Sequence, residues 1–228
     1  KRFSITHILK KTTDTKEQTM KNLTNIITAG LLLICSTASA KPLKVYILAG
    51  QSNMQGHAQV KTIEHIGMDP KTADIYKAMT NKDGAPVVCD NVWISSIGCA
   101  DTKEETVEKA GKLTSGFGAE RGGPKIGPEF TFGIYMQKHV NEPILIIKTA
   151  WGGKTLHTDF RPPNASDYQP NDGQKKNLAK QGKDVNEWMK EKKKASGVYY
   201  RMMTDHVNKV LKDIKRVYPD YDPKQGYE

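Results

Sequence analysis

Two short runs hold the residue types that could do chemistry. The first, KVYILAGQSNMQGHA at residues 44–58, stops an apolar stretch on Gly50 and presents Gln51, Ser52 and Asn53 at once. The second, TAWGGKT at 149–155, follows another apolar stretch and sets Gly152 beside Gly153. A serine can attack an ester carbonyl if a base takes its proton and N–H donors face the developing oxyanion. The backbone N–H groups of Ser52 and Gly153 could be two such donors, and glycines let a backbone approach a substrate closely. Ser52 also has a plainer reading as the N-cap of a helix beginning at Asn53, a role serine fills well. The glycine pair likewise has one, as a loop that needs positive φ.

Gly153-Lys154-Thr155 also resembles the end of a phosphate-binding loop. That motif requires a glycine where this chain has Lys148, and the loop is one residue short, so nucleotide binding is rejected.

These loops need elements to hold them. Lys44–Gly50 and Pro143–Lys148 are nearly continuous apolar runs, the pattern of parallel strands buried on both faces. Between them, GPEFTFGIYMQKHV opens with Gly127, Pro128 and Glu129, which are helix-start signals, and Phe130 and Ile134 follow one helical turn apart. A helix feeding a buried strand is half of a β-α-β unit. Met203, Val207, Val210, Leu211, Ile214 and Val217 mark one apolar helix face ending before Pro219. The expected fold class is α/β with a mostly parallel sheet, and its chemistry should sit beyond the carboxyl ends of the strands. The polar segments 101–126 and 154–196 read as surface loops or lids.

The chain has 228 residues, enough for one sizeable core, and a formal net charge of +10. Residues 1–40 contribute six basic and two acidic residues, which leaves 29 − 23 = +6 for the remainder. Much of that excess is a lysine-rich insertion between Lys175 and Lys194, where Trp188 is the one stacking ring. A solvated helix or loop face accounts for it better than a nucleic-acid groove, which usually interleaves several aromatics.

From Met20, MKNLTNIITAGLLLICSTASA has a positive start, a short apolar core and an A-x-A site at Ala38 and Ala40. The expectation is a cleaved signal peptide at 20–40, an upstream over-extension at 1–19 and a mature domain at 41–228. The protein would then be secreted or periplasmic, with no stable membrane anchor. Export leaves Cys89 and Cys99 as an even pair, expected to form a structural disulfide around the strand-like run at Val92–Ser95. No metal-ligand spacing is present near them and no cofactor is implied.

AGQSNM after a strand, KTAWGGKTLHTDFRPP after another, and GPEFTFG together resemble the SGNH hydrolases. The similarity is to the sialate O-acetylesterase-like branch that includes carbohydrate esterase family six. It implies a flavodoxin-like, three-layer fold, with Ser52 as nucleophile, Gly153 as oxyanion donor and Gly152 in the oxyanion loop. The substrate it implies is an acetylated carbohydrate, with Gln51, Asn53, Trp151 and His157 as candidate contacts. Trp151 reads equally as a sugar platform or a packed aromatic.

The family also carries a Q-G-x-x-[ND] block and an Asp-x-x-His. This chain has neither, since His57, His65, His139, His157 and His206 all lack an aspartate three residues earlier. The chain therefore reads as C-terminally truncated, with the base beyond Glu228. His57 and His157 are weaker stand-ins for it, and His206 reads as structural. A non-catalytic carbohydrate-binding or scaffold version of the same fold is the alternative function.

Overall fold

A computed structural model describes residues 41–228; the expected signal peptide and upstream segment fall outside the described residues. Strands β1 (Lys44–Gly50), β3 (Val92–Ile97), β4 (Glu108–Lys112) and β6 (Ile144–Ala150) form one sheet in the order β1-β6-β3-β4. The β1–β6 and β3–β6 pairs are parallel, and β4 closes the far edge antiparallel to β3. A two-stranded antiparallel ribbon joins β2 (Ala58–Gln59) to β5 (Lys125–Ile126).

Side-chain alternation along each strand divides the core into two faces. On the front, Val92, Ile94, Ile144 and Ile146 pack against Ile63 of α2 (Ile63–Ile66), Met79 of α3 (Ala73–Met79), and Phe130 and Ile134 of α4 (Pro128–His139). On the back, Trp93, Leu145 and Ile147 meet Val210 of a long C-terminal helix (Val198–Lys212) and the following Ile214 and Val217. The α4 start is as the sequence predicts, with Pro128 in the first turn after Gly127.

Four expectations need correction. β6 is buried throughout, but β1 is an edge strand with Ile47 and Ala49 exposed, because among the described residues only β6 pairs along its length. Gly226–Glu228 run parallel to its opening residues, with hydrogen bonds to Leu43 and Val45. The 154–196 segment is not all loop; it holds α5 (Asp172–Lys180), α6 (Val185–Ala195) and then α7, the C-terminal helix just named. Segment 101–126 likewise supplies β4 and β5. The α7 helix begins at Val198, earlier than its apolar face suggests, and breaks at Asp213 into a 3₁₀ turn.

The fourth correction is the disulfide. Cys89 and Cys99 are both buried and both free. The six residues of β3 lie between them, and an extended strand of that length spans roughly 20 Å, far beyond disulfide reach. Burial pushes the Cys89 thiol up to about 11, so it behaves as an inert core residue. No helix among the described residues is long and apolar enough to cross a membrane.

Candidate active site

The parallel register β1–β6 ends with Gly50 opposite Ala150, so both loops leave the sheet side by side. Trp151 N–H donates to the Gly50 carbonyl at 3.2 Å and fixes that junction. After Gly50 the chain turns at once into α1 (Ser52–Gln55), a single helical turn. Gly50 is needed there, because a Cβ would lie 2.8 Å from the Met54 Cβ.

Ser52 is half-buried at the first position of this turn, and Gln51 rather than Ser52 is the N-cap. The Ser52 hydroxyl donates to Gln51 Oε1 at 3.0 Å. It is thus free of the capping role that was its plainer reading. Across the junction, a Cβ built on Gly152 would lie 4.0 Å from the Ser52 Cβ and 2.9 Å from Gln55 Oε1. Among the described residues nothing lies within 4 Å of the Cβ position of Gly153, at φ +73°, so the loop is uncrowded there.

The loop that follows is folded on itself. Asp159 accepts from the Thr155 N–H at 2.7 Å and from the Thr155 hydroxyl at 2.9 Å. Burial works to raise the Asp159 carboxyl, but these two donors and Lys154 hold it below its ordinary value. Arg161 donates to the His157 carbonyl at 2.9 Å, so Asp159 and Arg161 both order the segment.

Two cavities flank the loops and meet at Lys154. One, of about 290 Å³, is polar and lined by Gln55, Thr102, Glu105, Gly152 and Lys154. The other, of about 370 Å³, is mostly apolar and lined by Gly50, Gln51, Leu156, Phe160, Tyr200 and Met203. Lys154 Nζ lies 3.5 Å from Glu105 Oε1 and 4.2 Å from the Tyr199 ring centroid. The Tyr199 hydroxyl donates to Glu105 Oε2 at 2.5 Å. Glu105 reaches this wall from the 101–107 loop, a contact that no spacing in the sequence signals.

Of the remaining sequence-level residues, Gln51, Asn53, Gly152 and Gly153 are exposed around the junction. Trp151 is only 3% exposed. Its indole N–H donates to the Glu105 carbonyl at 2.8 Å, and its ring packs on Tyr199 and Phe160. Of its two readings, the packed aromatic describes this placement. His157 is exposed, with its ring 4.7 Å from that of Tyr168. His206 is buried on the back face, 2.9 Å from the Ser95 hydroxyl. His57, His65 and His139 are exposed. None of these imidazoles is hydrogen-bonded to Ser52 among the described residues.

Residues that carry no sequence signal of a site lie directly beneath α1. Lys148 Nζ donates to the Gln55 carbonyl at 3.0 Å, to the Phe117 carbonyl at 2.8 Å and to Glu129 Oε2 at 2.6 Å. Glu129 Oε1 accepts from the Gly127 N–H at 2.9 Å. Gly127 lies against Gly56, the residue after α1, so closely that a Cβ on Gly56 (φ +86°) would sit 2.2 Å from the Gly127 Cα.

The arrangement is a serine at a sharp strand exit beside a glycine loop from the neighbouring parallel strand. No curated protein sequence gives a significant match. A sequence profile described as SASA, carbohydrate esterase, sialic acid-specific acetylesterase, matches residues 42–171, a span that includes both loops and α4. That span is more than half of the chain, and the chain belongs to the SASA family of carbohydrate esterases.

Proposed function

We propose that the protein is a secreted serine esterase that removes O-acetyl groups from a carbohydrate. Ser52 is the nucleophile, and the N–H groups of Ser52 and Gly153, with Gly152 beside them, receive the oxyanion. The observation that carries this reading is the adjacency of Ser52 and Gly152 at the ends of two paired parallel strands. Attack by Ser52 Oγ on the acetyl carbonyl forms a tetrahedral intermediate, its collapse releases the sugar alcohol, and water then frees acetate from the acyl-serine. The base is expected from an Asp-x-x-His block, a pattern that residues 41–228 do not contain. In support, the Ser52 hydroxyl is bonded to Gln51, and the five histidines of 41–228 are exposed or engaged elsewhere. Secretion rests on the signal-like run at 20–40, and the polar cavity beside Gly152 takes the sugar.

Acetate release from 4-nitrophenyl acetate and from acetylated oligosaccharides, by residues 41–228 and by a downstream-extended form, tests this. The extended form is expected to turn over, with Ser52→Ala costing roughly 10⁴-fold or more. The shorter form should be slower by about 10²–10⁴-fold for want of a general base. Equal activity in both forms would place the base within 41–228, with His157 the first residue to mutate. Sugar binding without any release of acetate would establish the non-catalytic version of the fold.

A further inference from the structure

We propose that Lys148 and Glu129 are positioning residues for Ser52: a sealed ion pair that fixes the turn carrying the nucleophile. The inference rests on the reading of Ser52 as nucleophile and goes beyond it to how the serine is held.

Ile144, Ile146 and Lys148 alternate onto the front face of β6, so the third position calls for another apolar side chain. Instead it holds an ammonium with 0% exposure, paired with a carboxylate that is also 0% exposed. Such a pair is a poor way to gain stability, because apolar residues of similar volume often do as well or better. What apolar residues cannot do is hold a backbone by directed bonds. All three Lys148 donors are spent, two of them on carbonyls, and one of those belongs to Gln55.

Gln55 is the last residue of the turn that Ser52 begins. One isolated turn does not hold its own shape, since helix nucleation is unfavourable. Its far end is therefore fastened from below by Lys148, while the Gln55 side chain fastens it sideways to the Gly98 carbonyl at 2.6 Å. Glu129 completes the device by holding the Gly127 N–H, and Gly127 is the backbone on which Gly56 rests. The pair thus braces the turn against both β6 and the start of α4. Attack geometry is sensitive to displacements of about 1 Å, so a brace of this kind acts on kcat.

The test is the double variant Lys148→Met/Glu129→Leu in the full-length protein, assayed with 4-nitrophenyl acetate beside wild type and Ser52→Ala. The expected result is a thermal midpoint at or above wild type, a kcat lower by about 100-fold, and a KM within about threefold. A folded double variant with wild-type kcat would overturn the proposal. So would one that fails to fold, because the pair would then be a structural requirement. Glu129→Gln keeps the size and the acceptor for Gly127 and is expected to fold with kcat reduced about tenfold; unchanged kcat there overturns it independently. If wild type releases no acetate, or Ser52→Ala still releases it, the nucleophile reading falls and this inference falls with it.

Discussion

Lys148 and Glu129 in front of the sheet, and Ser95, His206 and Glu108 behind it, use similar ingredients to opposite ends. The front pair has no exposed surface and spends every ammonium donor on protein acceptors. The rear cluster begins just as deep, with Ser95 at 0% exposure, but it opens outward. Ser95 donates to Glu108 Oε1 at 2.6 Å, and the same carboxylate takes Arg216 at 2.7 Å and Lys209 at 3.0 Å, both of which reach solvent. A sealed charge is bound to fixed geometry, which suits a place beneath the turn that begins at Ser52. A charge at a rim stays in exchange with water and suits the docking of a helix to a sheet. Depth and direction of opening, more than residue type, decide what a polar cluster does.

The largest expected contrast comes from removing one partner in front. Lys148→Met alone strands the Glu129 carboxylate in the core and should lower unfolding free energy by about 3–5 kcal/mol, read from urea titration. A loss near zero would mean that the front cluster is as open as the rear one.

Acid should act on the rear. Burial works to raise the Glu108 carboxyl, but Ser95, Arg216 and Lys209 bring it down to about 2 from an ordinary 4.5. Burial lowers His206 from an ordinary 6.5, with Glu108 opposing. Both groups bind fewer protons folded than unfolded, so the stability they confer is complete above these ordinary values. It is lost as pH falls, first below 6.5 for His206 and then between 4.5 and about 2 for Glu108. Thermal midpoints measured from pH 8 to pH 3 should decline in that order. Glu108→Gln should flatten the lower limb, and an unchanged profile would show that the rear cluster has no part in the acid response.

The smallest effect belongs to the outermost member. Lys209 has 60% of its side chain exposed, and Lys209→Ala should change stability by less than about 1 kcal/mol, screened further by added salt. A larger loss would show that the rim is less open to water than its exposure implies.

The same contrast explains how far the sequence could be read. Ser52 and the glycine pair were legible because loops at strand ends leave local marks: a glycine at a sharp exit, polar residues at once, two glycines together. Lys148 was not legible in that way. A lysine closing an apolar run reads as the point where a strand meets water, yet β6 continues to Ala150 and the long side chain turns inward to reach carbonyls. Glu129 has a favourable place in the first turn of α4, which says nothing about its burial. The cysteine pair misled for a related reason, since parity and compartment carry no information about the strand that separates them. By contrast, the helices of the insertion did leave a signal. Asn171 caps α5 reciprocally with Gln174, and Asp184 caps α6 through the Glu187 N–H, an N/D-x-x-E/Q spacing visible in the chain. The polar composition of the segment masks it.

The pairing of β1 with β6 also governs when the turn at Ser52 can take shape. Lys44 pairs with Ile144 and Gly50 with Ala150, so β1 finds its principal partner only after about a hundred further residues have been made. Contacts this distant in sequence form slowly, because a long loop must close before any ladder bond rewards it. During synthesis KVYILAG is meanwhile an unpaired apolar strand near the beginning of the chain, the kind of segment that seeks other edges. The turn at Ser52 inherits this schedule. Its anchors at Ala150 and Lys148 both belong to the later strand, so the turn that carries Ser52 is assembled late, once the sheet beneath it has closed.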